Sequence, residues 1–197
     1  MATDTQHDSD QTELATTCRL VAGFWLNEVD QNRLELLRDL QVQSAWSELG
    51  GSVPAEETQS PETLDRLAAD YCQLLIGPKK HLPPVQSVWS DHTFQAKAAS
   101  STGRFYELYA GYQPPGTIFD HLGCQLHFAA FLLDQVSHGQ DHGQDHGQAA
   151  SQVLAQFQRE HLTWAEQLLD RVTQKADTEF YRGLAIVTGK LIKELSR

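Results

Sequence analysis

The chain has 197 residues, with 15 Lys plus Arg against 26 Asp plus Glu, a formal net charge of −11. A balance that negative excludes broad binding along a phosphate backbone or an anionic membrane, which Lys and Arg drive, and suits a basic partner such as a positively charged peptide. Forty per cent of the residues are hydrophobic, four Trp and eight Phe among them, enough for a globular core without disulfides or metals.

The N-terminal stretch MATDTQHDSDQTE has neither a basic n-region nor an apolar h-region, so no secretory signal is expected. Leu14, Cys18, Val21 and Trp25 then fall on one helical stripe. Gly50-Gly51 to Pro61 reads as a polar loop. Ser60 is the expected N-cap of a second amphipathic helix, with Pro61 at its start and Leu64, Leu67, Ala68, Tyr71, Leu74 and Leu75 on its face. Gly77-Pro78 to Trp89 holds Pro78, Pro83 and Pro84 and is expected to be a loop. Trp89 ends it, at a position where binding residues concentrate.

Pro114-Pro115-Gly116 breaks the chain again. Beyond it Leu122, Leu126, Ala129, Leu133 and Val136 line one face, with Phe128, Phe131 and Leu132 on its flank. A helix apolar over so much of its circumference belongs in the middle of a bundle. Its longest apolar run, Phe128 to Leu133, is far short of the roughly 20 residues needed to span a bilayer.

HGQDHGQDHGQ over residues 138–148 is expected to be a flexible, Gly-rich loop. Leu154, Phe157, His161, Trp164, Ala165, Leu168 and Val172 make a further stripe, and Phe180, Leu184, Val187, Leu191 and Leu195 the last. Sustained period-two alternation is absent from the sequence. The expectation is an all-α, single helical-bundle domain, with residues 1–113 and 121–197 joined by a hinge at 114–120 before the buried central helix.

Cys18, Cys72 and Cys124 form no CxxC, and each stands among apolar residues. That usage fits small buried hydrophobes in a reducing cytoplasm.

Two motifs carry possible chemistry. His138, His142 and His146 at i, i+4 spacing would form a metal face on a helix. The intervening glycines each weaken such a helix by about 1 kcal/mol, so a solvated linker is preferred over a metal-binding or metal-delivery role. Asp120-His121 would suit an acid–base dyad of a hydrolase, but G-x-S-x-G, HExxH and P-loop signatures are all lacking. The simpler expectation for Asp120 is an N-cap accepting from the N–H groups of Leu122 or Gly123, where the helix dipole also favours its charge.

Four segments occur in the order of a known pattern. LLIGPKKHLPPVQSVW resembles F-x-G-P…P-x-E-S-V-Y. FDHLGCQLHFAAFLL resembles E-P-x-D-H-x-G-x-E-L-x-F. FQREHLTWAEQLLDRV resembles F-x-x-x-H-L-x-x-W, and FYRGLAIVTGKLI resembles F-Y-x-x-L-A. Together they resemble the TorD/DmsD/NarJ family of cytoplasmic redox-enzyme maturation chaperones over about residues 65 to 195. Thr117-Ile118 stands where that pattern has Glu-Pro, and Gln86 and Gln125 stand where it has Glu.

The resemblance implies an all-helical protein without catalysis or cofactor. It would bind the twin-arginine leader of a molybdoenzyme catalytic subunit until the molybdenum cofactor is loaded, without nucleic acid or stable membrane insertion, as a monomer or a domain-swapped homodimer. The implied peptide-binding residues are Asp120, His121, Leu122, Gly123, Trp89, Ser87 and Pro84. An acidic protein with an apolar groove fits a leader with a basic and an apolar region, and Asp120 is expected to attract the arginine pair.

Overall fold

A computed structural model describes the backbone of residues 2–52, 62–109, 112–142 and 144–195, and the side chains of these except 2–10 and 138–146. The secondary structure among the described residues is helical throughout, with one isolated antiparallel bridge. None of these helices is long and apolar enough to cross a membrane. The chain forms two compact units, Met1–Leu26 with Val85–Trp164 and Ile192–Arg197, and Asn27–Pro84 with Ala165–Leu191.

In the first unit α1 (Ala2–Leu26) and α8 (Gln144–His161) flank α7 (Leu122–His142). Most of the apolar breadth of α7 is buried: Leu122, Leu126, Phe128, Ala129, Ala130 and Leu132 completely, with Phe131 half-buried. Each large side chain so buried contributes about 1.5–3 kcal/mol. From α1 the expected stripe is buried at Cys18, Val21 and Trp25 and half-buried at Leu14. Arg19 pairs with Asp134 at the edge of that contact. The aromatic rings of α6 (Lys97–Glu107) and its exit join the core. Tyr106 meets Phe128 edge-on at 4.9 Å, as Phe128 does Phe157.

In the second unit α2 (Gln31–Arg38) and α3 (Leu40–Glu48) start on aspartate caps, Asp30 accepting from Arg33 N–H and Asp39 from Gln41 and Val42. α4 (Thr63–Tyr71) runs directly into a π-helical turn, Cys72–Ile76. α9 (Ala165–Lys175) precedes α10 (Glu179–Glu194). Buried Asp70 accepts from the N–H groups of Asp177 and Thr178 and from the Thr178 hydroxyl, fixing the start of α10. Trp46 stacks on Phe180 at 5.9 Å.

Four expectations are corrected here. The HGQD repeat is not a long loop: its backbone is helical at 138–142 and again at 144–148. Helices with buried apolar faces approach from both sides, and extending an existing helix needs no new nucleus, so the glycine cost is tolerated. The side chains of its three histidines lie outside the described residues. The Pro-rich segment does not stay irregular up to Trp89: α5 (Gln86–Ser90) forms once the prolines are behind it. Cys72 is exposed, whereas Cys18 and Cys124 are buried. The helix expected to start at Pro61 begins at Thr63 after Glu62, and Ser60 and Pro61 lie outside the described residues.

Candidate functional site

Two segments singled out by the sequence motifs meet in the first unit. Val85 and His121 form the isolated antiparallel bridge. Gln86 N–H donates to the Asp120 carbonyl at 2.9 Å. Ser87 N–H donates to Asp120 Oδ2 at 2.8 Å. Asp120 thereby clips the start of α5 to the turn that precedes α7. A hydrogen bond from a neutral N–H to a buried carboxylate contributes about 1.5–3 kcal/mol. The carboxylate has no solvent exposure, and its Oδ1 has no partner among the described residues.

This corrects the expected cap. The first turn of α7 is capped by His121, whose Nδ1 accepts from Gly123 N–H at 3.1 Å. That bond needs an unprotonated Nδ1, which places the proton of the neutral ring on Nε2. Burial pushes the His121 pKa down to about 4, and the Asp120 charge pulls weakly the other way. With Asp120 accepting from Ser87 and His121 accepting from Gly123, the two are not arranged as the carboxylate–imidazole dyad a hydrolase would use.

Behind the clip runs a buried row of polar side chains. Trp164 Nε1–H donates to Gln125 Oε1 at 3.0 Å and also to the His161 carbonyl at 2.9 Å. Gln125 Nε2 donates to Gln86 Oε1 at 2.7 Å, and Gln86 Nε2 donates to the Glu160 carbonyl at 2.9 Å. His161 Nδ1 lies 2.9 Å from Gln86 Oε1, with Thr102 Oγ1 3.1 Å from the same nitrogen. Ser101 Oγ lies 3.2 Å from His161 Nε2.

The indole donates only, which orients the Gln125 amide, which in turn orients Gln86. Gln86 Oε1 then accepts from His161 Nδ1–H, leaving Nε2 to accept from Ser101. Burial lowers the pKa of His161, with Glu160 and Asp120 pulling it upward.

The seven expected binding residues separate by exposure. Ser87, Asp120 and Leu122 are fully buried. Gly123 is a packing position: a Cβ there would stand 2.8 Å from the Ala22 carbonyl oxygen and 2.5 Å from Leu26 Cγ, so α1 passes too close for any side chain. Pro84 is buried in the second unit, of which it is a boundary residue. His121 and Trp89 are partly exposed.

Phe119, which sequence reasoning missed, is 42% exposed while its ring edge meets Tyr106 at 5.7 Å. Its place beside Asp120 in an apolar-poor turn was the available signal. The Tyr106 hydroxyl donates to the Phe119 carbonyl at 2.8 Å, and a Cβ on Gly103 would press on its ring at 3.2 Å. Phe105 and Trp164 are buried, as expected of core aromatics. Among the described residues there is no group of three or more His, Cys, Asp and Glu placed to hold a metal.

Fold and site together define an all-α protein in which two chain segments are clipped over a buried amide row. The chain belongs to the nitrate reductase delta subunit family, whose pattern matches residues 27–170. This bears out the resemblance carried by the four motifs. It is similar to the chaperone protein TorD of Shewanella sp. (strain MR-4), 34% identical over 87 residues, which is 38% of this chain and 42% of that one. It is also similar to the chaperone protein YcdY of Escherichia coli, 24% identical over 93% of this chain and 94% of that one. The probable Tat proofreading chaperone DmsD of Haemophilus influenzae is 32% identical over 38% of this chain and 30% of its own length. The matched stretches thus span less than half of TorD and DmsD. No solved structure matches.

Proposed function

We propose that this chain is a cytoplasmic chaperone that binds the twin-arginine leader of a molybdenum-cofactor oxidoreductase and holds that client until its cofactor is loaded. The observation that carries the reading is the clip: the segments bearing Q-S-V-W and F-D-H-L-G are brought together around Asp120. Relatives named as chaperone protein TorD and probable Tat proofreading chaperone DmsD support it. So does the net charge of −11, opposite to a basic leader.

In this reading the leader touches the exposed parts of the clip, Phe119, His121 and Trp89. Buried Asp120 acts as a positioning residue that holds α5, and so Trp89, in place. Direct pairing of Asp120 with an arginine requires α5 to lift from the turn, since Oδ1 is enclosed.

Titration of a synthetic twin-arginine leader, followed by Trp fluorescence, tests the proposal. The expected result is saturable binding at micromolar leader, weakened when both arginines become lysine, because Lys lacks the bidentate fork. Trp89→Phe removes most of the optical change. No saturation, or equal binding of the Lys-Lys leader and a scrambled control, overturns it.

A further inference from the structure

We propose that the surface formed by Ile76, Lys79, Lys80, His81, Arg171 and Lys175 docks an acidic segment of a partner protein that carries one apolar side chain. All six lie in the second unit and all are exposed, Ile76 to 59%. The chain has 26 acidic residues, yet none occurs from Tyr71 to Ser90, the stretch that supplies four of the six. On α9 the charges are sorted in the same sense. At about 100° of rotation per residue, Asp170 falls about 100° from Arg171 and Glu166 about 140° from it, whereas Lys175 stands within about 40°. Lys175 Nζ donates to the Lys80 carbonyl at 2.9 Å, which brings the basic side of α9 against the loop. None of Lys79, Lys80, Arg171 and Lys175 forms an ion pair with a described residue. Past Lys175, Asp177 is the acid closest along the chain, and Glu179 is already taken by Arg182.

The loop is held in shape before any partner arrives. Its entry is the π-helical turn, where Gly77 N–H donates to the Cys72 carbonyl at 2.6 Å. Its exit is pinned by Leu82 N–H, which donates to the Leu74 carbonyl at 2.6 Å. Pro78 and Pro83 restrict the backbone at either end. Lys80 has a φ of 57°, a left-handed conformation that is uncommon for lysine and persists only where the surroundings impose it. A loop fixed with its cations outward has little ordering left to undergo on binding, which favours affinity. Ile76 supplies the other half of the surface. A large aliphatic side chain more than half exposed beside cations is an apolar anchor with a charged rim.

An acidic segment fits this surface better than an anionic membrane does. With a formal net charge of −11, the body of the chain repels a surface whose charge is spread over its whole area. A short segment meets only the patch, and acids farther off than a Debye length of about 10 Å are screened from it. A basic leader is repelled by the same cations, so this surface is distinct from the clip in the first unit and does not depend on the function proposed for it.

The test uses the full chain and a fluorescein-labelled peptide of sequence Glu-Asp-Leu-Glu-Asp, followed by anisotropy at low salt. The expected result is saturable binding with a dissociation constant below about 1 mM, weakened at least ~10-fold in about 1 M salt, where the Debye length falls to about 3 Å. Lys79→Gln with Lys80→Asn should weaken it at least ~10-fold through loss of the charged bonds; asparagine is chosen because it tolerates the left-handed backbone. Arg171→Gln leaves the loop untouched and should weaken it about 3-fold. Ile76→Ser, or Ser for Leu in the peptide, should weaken it about 5-fold or more. The far-ultraviolet spectrum should stay that of the wild type throughout. Equal affinity in the two-lysine variant, or tighter binding of a Lys-Lys-Leu-Lys-Lys peptide, overturns the assignment. So does tighter binding to phosphatidylserine vesicles than to the peptide, or self-association of the chain that the two-lysine variant abolishes, which would make a second copy the occupant. Binding of the twin-arginine leader is measured on the same samples and should not change in these variants; a change overturns the separation of the two surfaces.

Discussion

Ser87 N–H donates to Asp120 Oδ2 across 2.8 Å, joining residues 33 positions apart in the chain. That bond, with the bridge beside it, turns two motifs into one structure. Asp120 is thus spent on geometry inside the protein, and what it presents outward is the orientation of the helix it caps.

Loss of the clip should be read directly as stability. Asp120→Ala leaves the buried Ser87 N–H without an acceptor and should lower the free energy of unfolding by about 1.5–3 kcal/mol. Asp120→Asn keeps one acceptor oxygen and should cost less. Urea denaturation at neutral pH measures both. An unchanged midpoint for the alanine variant would show that the bond contributes nothing net.

His121 should make the protein acid-sensitive. Its ring has a pKa of about 4 in the folded chain against 6.5 ordinarily. Above about pH 6.5 both states hold it neutral and it contributes no pH dependence. Between 6.5 and 4 the unfolded chain takes up the proton and the folded one does not. Stability then falls by up to about 3 kcal/mol and levels off below 4. His121→Asn keeps a capping side chain without this titration. Denaturation series at pH 7, 5.5 and 4 should show a shallower fall in the variant, and parallel curves would refute the assignment.

Gly123→Ala should destabilise, not only impair recognition. The added methyl meets the backbone oxygen of Ala22, which cannot rotate away. A cost of about 1–3 kcal/mol follows from forced overpacking, measured as a lowered midpoint of thermal or urea unfolding. A stable variant that loses only leader binding would instead mark Gly123 as a contact residue.

The amide row predicts a pH effect of opposite sense at residue 125. In Gln125→Glu an ionised carboxylate accepts from Trp164 but has no proton to give to Gln86 Oε1. At pH 7 the variant should be less stable than wild type by about 1–3 kcal/mol. A protonated Glu restores the donor, so the folded pKa lies above the unfolded one. The deficit is then absent below about pH 4.3 and grows as pH rises through the folded value. A deficit that does not change with pH would mean that the row tolerates two facing acceptors.

The amphipathic stripes were legible because burial imposes helical spacing on local sequence. Cys18, Val21 and Trp25, and the face from Leu122 to Val136, are buried as their spacing requires. Capping was legible only when local. Asp70 fixes residues 177 and 178, more than a hundred positions away, and Asp120 fixes residue 87, and neither partner has a signature next to the cap. Asp120 serves the start of α5 and not the helix that follows it in the chain. Short-range propensity favours it before Leu122, whereas His121 takes that place once burial keeps its ring neutral. His161 reads in the sequence as one more member of an apolar stripe, and its polar partners on α5 and α6 are visible only in the fold.

The orientation of the amide row also has a consequence for substitution. Gln125 donates to Gln86 at 2.7 Å, and Trp164, by donating to the Gln125 oxygen, fixes that direction. A carboxylate at residue 125 sets two acceptors face to face, whereas one at residue 86 still accepts from Gln125 and gives up its bond to the Glu160 carbonyl. The two positions are therefore unequal: a carboxylate at residue 125 must retain a proton to hold the row together, and one at residue 86 need not.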